Sequence, residues 1–356
     1  MTRSRGVVKK MKKDIKSMLL PEIREYFETT GERPYRAEQV FPWLHRGVKT
    51  FSEMTNLQEK LREKLDREFY ITAPELAEKL VSRLDGTNKF LWNMQDGASV
   101  ESVVMEYAHG NTVCISSQVG CRMGCAFCAS AIGGLERNLA ASEMLDQVLY
   151  SQQHSGRKIS NVVLMGIGEP LDNFDNTMRF LELITHKSGI NIGARHISVS
   201  TSGIVDNIDK MAEYDVQSTL SVSLHAPDDE TRSRLMPVNR EAGVDELIEA
   251  CNRYFSKTGR RISYEYAMID GINDSVGQAR LLADKLKDTG SHLNIITLSD
   301  VPERPYRGSP PESVKAFTGY LRRKGVNYTV RRSLGGDINA SCGQLRGKRL
   351  QSTVQQ

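Results

Sequence analysis

At 356 residues, with 39% hydrophobic and 26% charged side chains, the chain has the make-up of an ordinary soluble protein with room for one large domain and a small one. No apolar run reaches the ~18 residues of a membrane span, and the basic N-terminus is not followed by the apolar stretch of a signal peptide, so no membrane association and a cytoplasmic location are expected. The net charge of +4 says little about partners, and its distribution says more.

Residues 1–13 read as a basic tail. Arg3, Arg5, Lys9, Lys10, Lys12, Lys13 and Lys16 face a single acid, Asp14, within the first sixteen residues. A second cluster runs through Arg322, Arg323, Lys324, Arg331, Arg332, Arg346, Lys348 and Arg349, with Asp337 the one acid in that span. Such clusters could neutralise phosphates; for the tail alone, solubilisation is an equal reading. Residues 14–75 form a helical module: Ile15, Leu19, Ile23 and Phe27 recur at helical spacing, Ala37, Val40, Phe41 and Leu44 make a second stripe, and Leu57 to Phe69 a third segment. Over 76–111 the period shortens to strands broken by the turn dipeptides Asp85-Gly86 and Asp96-Gly97, a hairpin region linking two domains. Trp43 and Trp92 read as core or interface residues.

From 112 to 350 strand and helix alternate. Strands are predicted near 112–116, 161–165, 195–200, 218–224, 261–268 and 292–297, and helices near 142–153, 174–186, 205–213, 244–257, 274–288 and 311–324. A last strand covers Val326 to Arg331. The expected fold is α/β: a parallel sheet with helical crossovers, in the form of an open, partial TIM-like β/α barrel. Barrels bind ligands at the carboxyl ends of their strands, so chemistry-bearing residues belong just after each strand.

Just past the first strand stands Cys121-Arg-Met-Gly-Cys125-Ala-Phe-Cys128. Three thiolates on one loop suit an iron–sulfur cubane whose fourth iron stays open. A structural zinc site usually takes four ligands, often as two separated pairs, and only one short pair is present. A disulfide framework needs an oxidising compartment, and a chain of this size needs no such staples. The second strand runs into Gly166-Ile-Gly-Glu-Pro170, where glycine permits close backbone approach to a ligand. Later strands end in Ser200-Thr-Ser-Gly203 and Ser223-Leu-His225. Each, taken singly, reads as a helix cap or a satisfied core group; their common position makes them ligand candidates. Cys251, on an apolar helix face, is a core residue. Cys342 lies in a glycine-punctuated loop after the last strand, and Cys114 could face the same space.

The three-cysteine loop with Phe127 before its last thiol resembles the radical S-adenosylmethionine (SAM) signature. The ordered set of Gln118-Val-Gly-Cys121, Arg137-Asn-Leu139, Gly166-Ile-Gly-Glu-Pro170, Ser221-Val-Ser-Leu-His-Ala-Pro227, Arg234-Leu-Met-Pro237 and Ala340-Ser-Cys-Gly-Gln-Leu345 resembles the RlmN/Cfr family of radical SAM RNA methyltransferases, its RlmN branch most of all. The resemblance implies a radical SAM barrel with a [4Fe–4S] cluster on Cys121, Cys125 and Cys128. It implies SAM contacts from Gly168, Glu169, Ser200, Ser223, Leu224 and His225, with Ser299 where the family usually has Asn. Two SAM molecules would serve each turnover. Cys342 would accept a methyl group, present its carbon to C2 of an adenosine in 23S rRNA or 3′ of a tRNA anticodon, and be released by a disulfide with Cys114. Glu101 would take the C2 proton. An external donor such as flavodoxin or ferredoxin would supply electrons, and a monomer is the simplest state. A Cfr-type enzyme methylating C8 of adenine shares all five cysteines and is the alternative within the chemistry. A non-catalytic, zinc-stabilised RNA-binding protein is the alternative outside it.

Overall fold

The computed structural model describes residues 12–214, 217–287 and 289–347. Arg3, Arg5, Lys9, Lys10, Lys348 and Arg349 of the two basic clusters lie outside the described residues. Chain order is β1 (Lys13–Asp14), α1 (Leu20–Thr29), α2 (Arg36–Leu44), α3 (Glu59–Glu68) and β2 (Phe69–Tyr70), followed by β3 (Glu75–Val81), β4 (Asn88–Asn93), β5 (Ser99–Tyr107) and β6 (Gly110–Cys114). Then come β7 (Gln118–Gly120), β8 (Leu135–Asn138), α4 (Ala141–Ser155), β9 (Ile159–Leu164), α5 (Phe174–Thr185), β10 (Ile197–Thr201), α6 (Val205–Met211) and β11 (Thr219–Ser223). The chain closes with α7 (Asp229–Leu235), α8 (Val244–Thr258), β12 (Ser263–Met268), α9 (Val276–Leu286), β13 (His292–Thr297), α10 (Pro311–Arg323) and β14 (Tyr328–Val330).

The N-terminal helices bury the residues that their spacing selects: Ile23 and Phe27 from α1, Ala37, Val40, Phe41 and Leu44 from α2, Leu61 and Leu65 from α3. Parallel pairing of β1 with β2 stitches the two ends of this module together. Lys16 departs from its reading as a member of a phosphate-neutralising basic cluster. It is 1% exposed, its ammonium lies 2.7 Å from Asp146 of α4, and it also donates to the Thr72 carbonyl. Asp14 accepts the Ser142 hydroxyl at 2.6 Å, and Arg179 of α5 pairs with Glu22 of α1. The module is thus seated on two barrel helices by charge as well as by apolar packing. Trp43 packs partly buried against the core and Trp92 is fully buried, its indole N–H donating to Ser102.

One ten-stranded sheet runs in the order β14-β13-β12-β11-β10-β9-β6-β5-β4-β3. From β6 to β14 every pairing is parallel, while β5, β4 and β3 continue the sheet antiparallel. The strands expected as a link therefore form part of the barrel wall, with turns at Gly86 (φ 72°) and Gly97 (φ 84°) where the dipeptides place them. The sheet is curled. Laid flat, ten strands ~4.8 Å apart would put the edges roughly 43 Å from each other, whereas the five residues from Val330 to Gly335 reach at most ~18 Å. Yet the Gly335 amide donates to Asp85, between β3 and β4, at 2.9 Å. The segment after β14 crosses the open side of the barrel to its opposite wall.

Two local elements were not legible. Helix α7 has seven residues, mostly charged, and no apolar stripe; its start is set by Asp228, whose carboxylate accepts the Thr231 amide. Strands β7 and β8 form a short antiparallel ribbon whose far end is the three-cysteine loop.

Candidate active site

The cysteine loop hangs from that ribbon. Gly120 (φ 73°) crosses Gly134 so closely that a Cβ would lie 1.9 Å from the Gly134 carbonyl oxygen. The Ala126 amide donates to the Leu235 carbonyl after α7, and the loop ends in a tight turn over Ala129–Ala131. Cys121, Cys125 and Cys128 line one cavity with Gly168, Glu169, Ser200, Ser223, His225, Glu265 and Cys342. Burial pushes the Cys121 thiol up to about 12, with the Glu169 and Cys128 charges adding to it, and it pushes Cys125 up as well. Three thiols crowded on one loop, with Cys121 and Cys125 resisting charge on their own, suit a polynuclear iron cation, since cubanes are held by thiolates. The donor set fits a [4Fe–4S] cluster.

The strand ends supply the rest of the cavity. Gly168 (φ 105°) and Gly166 are required by the neighbouring chain: a Cβ would lie 2.6 Å from Cβ of Gln118 in the first case and 2.7 Å from the Ile115 carbonyl oxygen in the second. The glycines of this turn thus let β9 close on the β6–β7 connection. The Glu169 carboxylate accepts the amides of Leu171 (3.0 Å) and Ser202 (2.6 Å), tying the end of β9 to that of β10, and burial raises its pKa. His225 sits in the left-handed region (φ 57°), and its Nδ1 accepts the Ala267 amide at 2.9 Å. Burial, with the Arg232 charge adding to it, lowers its pKa to about 3, so the ring is neutral, carries its proton on Nε2, and meets Phe127 edge-on at 5.1 Å.

Arg232, which sequence reasoning missed, is wholly buried beneath this floor. Its guanidinium donates to the carbonyls of Ser202 (2.7 Å), Ser223 (3.0 Å) and Leu224 (3.1 Å) and to Asn239 (2.8 Å). Burial pulls its pKa down to about 10. One planar fork thereby fixes the ends of β10 and β11 together. A lone Arg in a short charged helix carries no sequence signal for this. Leu224 is itself fully buried and does not line the cavity. Ser299 is also absent from that lining.

Ser299 instead lines a second, adjoining cavity with Met105, Tyr107, Cys114, Met165, Arg331 and Cys342. Its hydroxyl lies 3.4 Å from that of Ser333. Cys114 is buried, and burial together with the nearby Cys342 pushes its thiol up to about 12. Cys342 is exposed as a residue, but its sulfur is crowded enough for burial to raise its pKa, with Arg331 pulling it back down. Cys342 and Arg331 line both cavities. Arg331 points inward, 3.4 Å from Glu265, and so departs from its reading as one of a phosphate-binding surface cluster. Glu101 lines neither cavity; its carboxylate pairs with Lys89 at 2.9 Å and accepts the Arg346 amide. Cys251 is fully buried in the core, as its helix face implies.

The chain's similarity to known proteins matches this division of labour. A family model described as the radical SAM superfamily matches residues 115–283, and one described as the ribosomal RNA large subunit methyltransferase N-terminal domain matches residues 13–71. A protein of Alkaliphilus oremlandii named "Probable dual-specificity RNA methyltransferase RlmN" is 50% identical over 95% of this chain and 99% of its own. One of the same name from Bacillus subtilis is 47% identical over 98% and 97% respectively. Among solved structures, a radical SAM methyltransferase from Sphaerobacter thermophilus superposes with a TM-score of 0.89 at 42% identity, covering 94% of this chain and 99% of that one. With a radical SAM barrel, an N-terminal module of matching type and relatives of this identity over nearly its whole length, the chain belongs to the RlmN family of radical SAM RNA methyltransferases.

Proposed function

We propose that this protein methylates C2 of adenosine in 23S rRNA and in tRNA, through a methyl group carried on Cys342. The observation that carries the reading is that Cys342 lines both the cavity of the three cluster cysteines and the cavity of Cys114. C2 of adenine is electron-poor, so a polar methyl transfer to it is unavailable and the difficult chemistry falls to a cofactor.

Cys121, Cys125 and Cys128 would hold the cluster, and Gly168, Glu169, Ser200, Ser223 and His225 would face SAM, with backbone atoms of Leu224 and the Ser299 hydroxyl at the margin. When bound, these groups supply the methyl carbon, an electron and a hydrogen-abstracting radical, with two SAM molecules used per turnover. Neutral His225 offers a donor at Nε2 and adds no charge beside the cluster. Cys342 takes the methyl carbon as a thioether and presents it to the base. Cys114, as thiolate, then attacks the Cys342 sulfur: a disulfide forms, the sulfur–carbon bond breaks, and its electron pair leaves with the carbon, which gains a proton and becomes the methyl group. Glu101 is the candidate proton acceptor by resemblance. The target base must leave its stack to reach a cavity this deep, at a cost of a few kcal/mol.

The electron donor is an external carrier such as flavodoxin or ferredoxin, the working state a monomer, and the location cytoplasmic. Among the described residues no helix is long and apolar enough to cross a membrane. The test is anaerobic incubation of cluster-loaded protein with SAM, reductant and unmodified RNA, followed by nucleoside mass spectrometry. 2-Methyladenosine supports the reading, 8-methyladenosine replaces it with the Cfr-type reaction, and neither product removes it.

A further inference from the structure

The loop that carries Cys342 has little to hold it by itself. Between Gly335 and Arg346 only Ala340 and Leu345 are buried apolar residues. A segment so poor in apolar contacts is expected to open at low cost. Cys342, however, must reach a reacting atom with near-attack geometry in more than one step. The structure assigns the missing order to the opposite wall of the barrel.

Four side chains of the β3–β5 region, with the backbone amide of Arg83, grip the loop on both sides of Cys342. On the upstream stem, Asp85 accepts the Gly335 amide at 2.9 Å, and the Asp337 carboxylate accepts the Ser82 hydroxyl at 2.7 Å and the Arg83 amide at 3.0 Å. The Lys89 ammonium donates to the Asn339 carbonyl at 2.9 Å. On the downstream stem, Glu101 accepts the Arg346 amide. Lys89 joins the two halves, because the same ammonium lies 2.9 Å from the Glu101 carboxylate. Both residues are more than nine-tenths buried, Lys89 at 8% and Glu101 at 6% exposure. Between the stems the loop rests on the cluster turn, with the Ala129 amide donating to Gly343 and the Ser130 hydroxyl to Leu345, each at 2.8 Å.

We propose that Ser82, Asp85, Lys89 and Glu101 form a clasp that fixes both stems of the Cys342 loop, so that Cys342 turns between its two cavities while the loop stays in place. They are positioning residues, acting through the loop backbone. The clasp deepens the role proposed for Cys342 and rests on it, but its existence is measured without any reaction. It also gives Glu101 a task other than proton transfer: each of its oxygens has a structural partner, and its side chain faces neither cavity.

Amide exchange read by mass spectrometry on cluster-loaded protein, with iodoacetamide labelling of Cys342 alongside, tests the clasp. In Lys89→Met and in Glu101→Ala, exchange over 335–346 and labelling of Cys342 should each rise about tenfold, while exchange in α1–α3 and β10–β13 stays as in the unaltered protein. Glu101→Gln keeps one acceptor oxygen, for the Arg346 amide, but turns the other into an NH2 that cannot accept from Lys89, and should raise both readouts by about threefold, less than Glu101→Ala. Where Lys89→Met raises exchange throughout the chain, Asp337→Ala decides at an exposed position, with a rise of about threefold confined to 335–340. Unchanged exchange over 335–346 in these variants overturns the clasp. A Glu101→Gln protein with ordinary exchange and Cys342 labelling that nonetheless stalls as an RNA–protein adduct overturns the positioning role for Glu101 in favour of proton transfer. If the unaltered protein makes no methyladenosine but the variants loosen the loop as stated, the methylation reading fails and the clasp stands.

Discussion

Cys114, at the end of β6, and Cys342, on the loop that returns across the open side of the barrel, line the same cavity, and Cys342 adds to the burial that keeps the Cys114 thiol from ionising. Neither thiol is in a disulfide. Replacing Cys114 by Ala should leave Cys342 able to acquire a methyl group but unable to shed the base, so a covalent RNA–protein species accumulates on denaturing gels. Cys342→Ala should form neither that species nor methyl-cysteine, with product down by at least about a hundredfold.

The same pair predicts a pH dependence. The attacking form of Cys114 is the thiolate, and burial holds its pKa up at about 12. Release of the trapped base should therefore quicken by about tenfold per pH unit between pH 7 and 9, because the thiolate fraction grows in that proportion well below the pKa. Single-turnover release measured at several pH values checks this; a flat profile removes Cys114 thiolate attack from the slow step.

Lys16 and Asp146 make an ion pair in which neither side chain reaches solvent. Lys16→Met strands a buried carboxylate and should cost about 3–5 kcal/mol. Lys16→Met with Asp146→Leu removes both charges and should recover most of the loss. Urea midpoints of the three proteins, converted to free energies, give the comparison.

His45 and His225 are both held neutral by burial, each with its pKa lowered to about 3. The unfolded chain takes up a proton at each near pH 6.5 that the folded chain refuses. Their contribution to stability is complete above that pH and is lost as pH falls towards 3, by about 1.4 kcal/mol per unit for each site. His45 is the cleaner probe, since both ring nitrogens lack hydrogen-bond partners. His45→Leu should reduce the slope of stability against pH between 6 and 4 by that amount, whatever it does to stability at pH 8.

Much of this architecture could be read from residue spacing because barrel strands and amphipathic helices repeat at short range. The six strands expected between 112 and 297 lie within about three residues of those observed. What escaped depends on partners far along the chain. Lys16 sits in a run of basic residues and looks like one more surface cation until Asp146 is brought beneath it. Arg331 looks like a surface cation until β14 turns it towards Glu265 and Cys342. The dipeptides at Asp85 and Asp96 mark turns, but no local signal says that their strands pair onto β6. The cluster thiols were legible since all three lie within one loop, whereas Arg232 works through carbonyls of three other residues.

Arg232 offers a direct test of that floor. Arg232→Lys keeps the charge but loses the fork that reaches four acceptors. Each charged hydrogen bond lost there costs about 1.5–3 kcal/mol, so SAM affinity should fall by at least about tenfold while iron content per chain is kept. Equal SAM binding by calorimetry would mean that the strand ends hold their places without it.

Cys342 is proposed to carry the methyl carbon to C2 of adenosine. Nucleosides from unmodified rRNA and tRNA, after anaerobic incubation with cluster-loaded protein, reductant and SAM bearing a deuterated methyl group, measure it directly by mass spectrometry. The expected product is 2-methyladenosine whose methyl group keeps two deuterium atoms, one having been abstracted and replaced by a solvent proton, and none is expected from the Cys342→Ala protein. 2-Methyladenosine formed equally well by Cys342→Ala would contradict it.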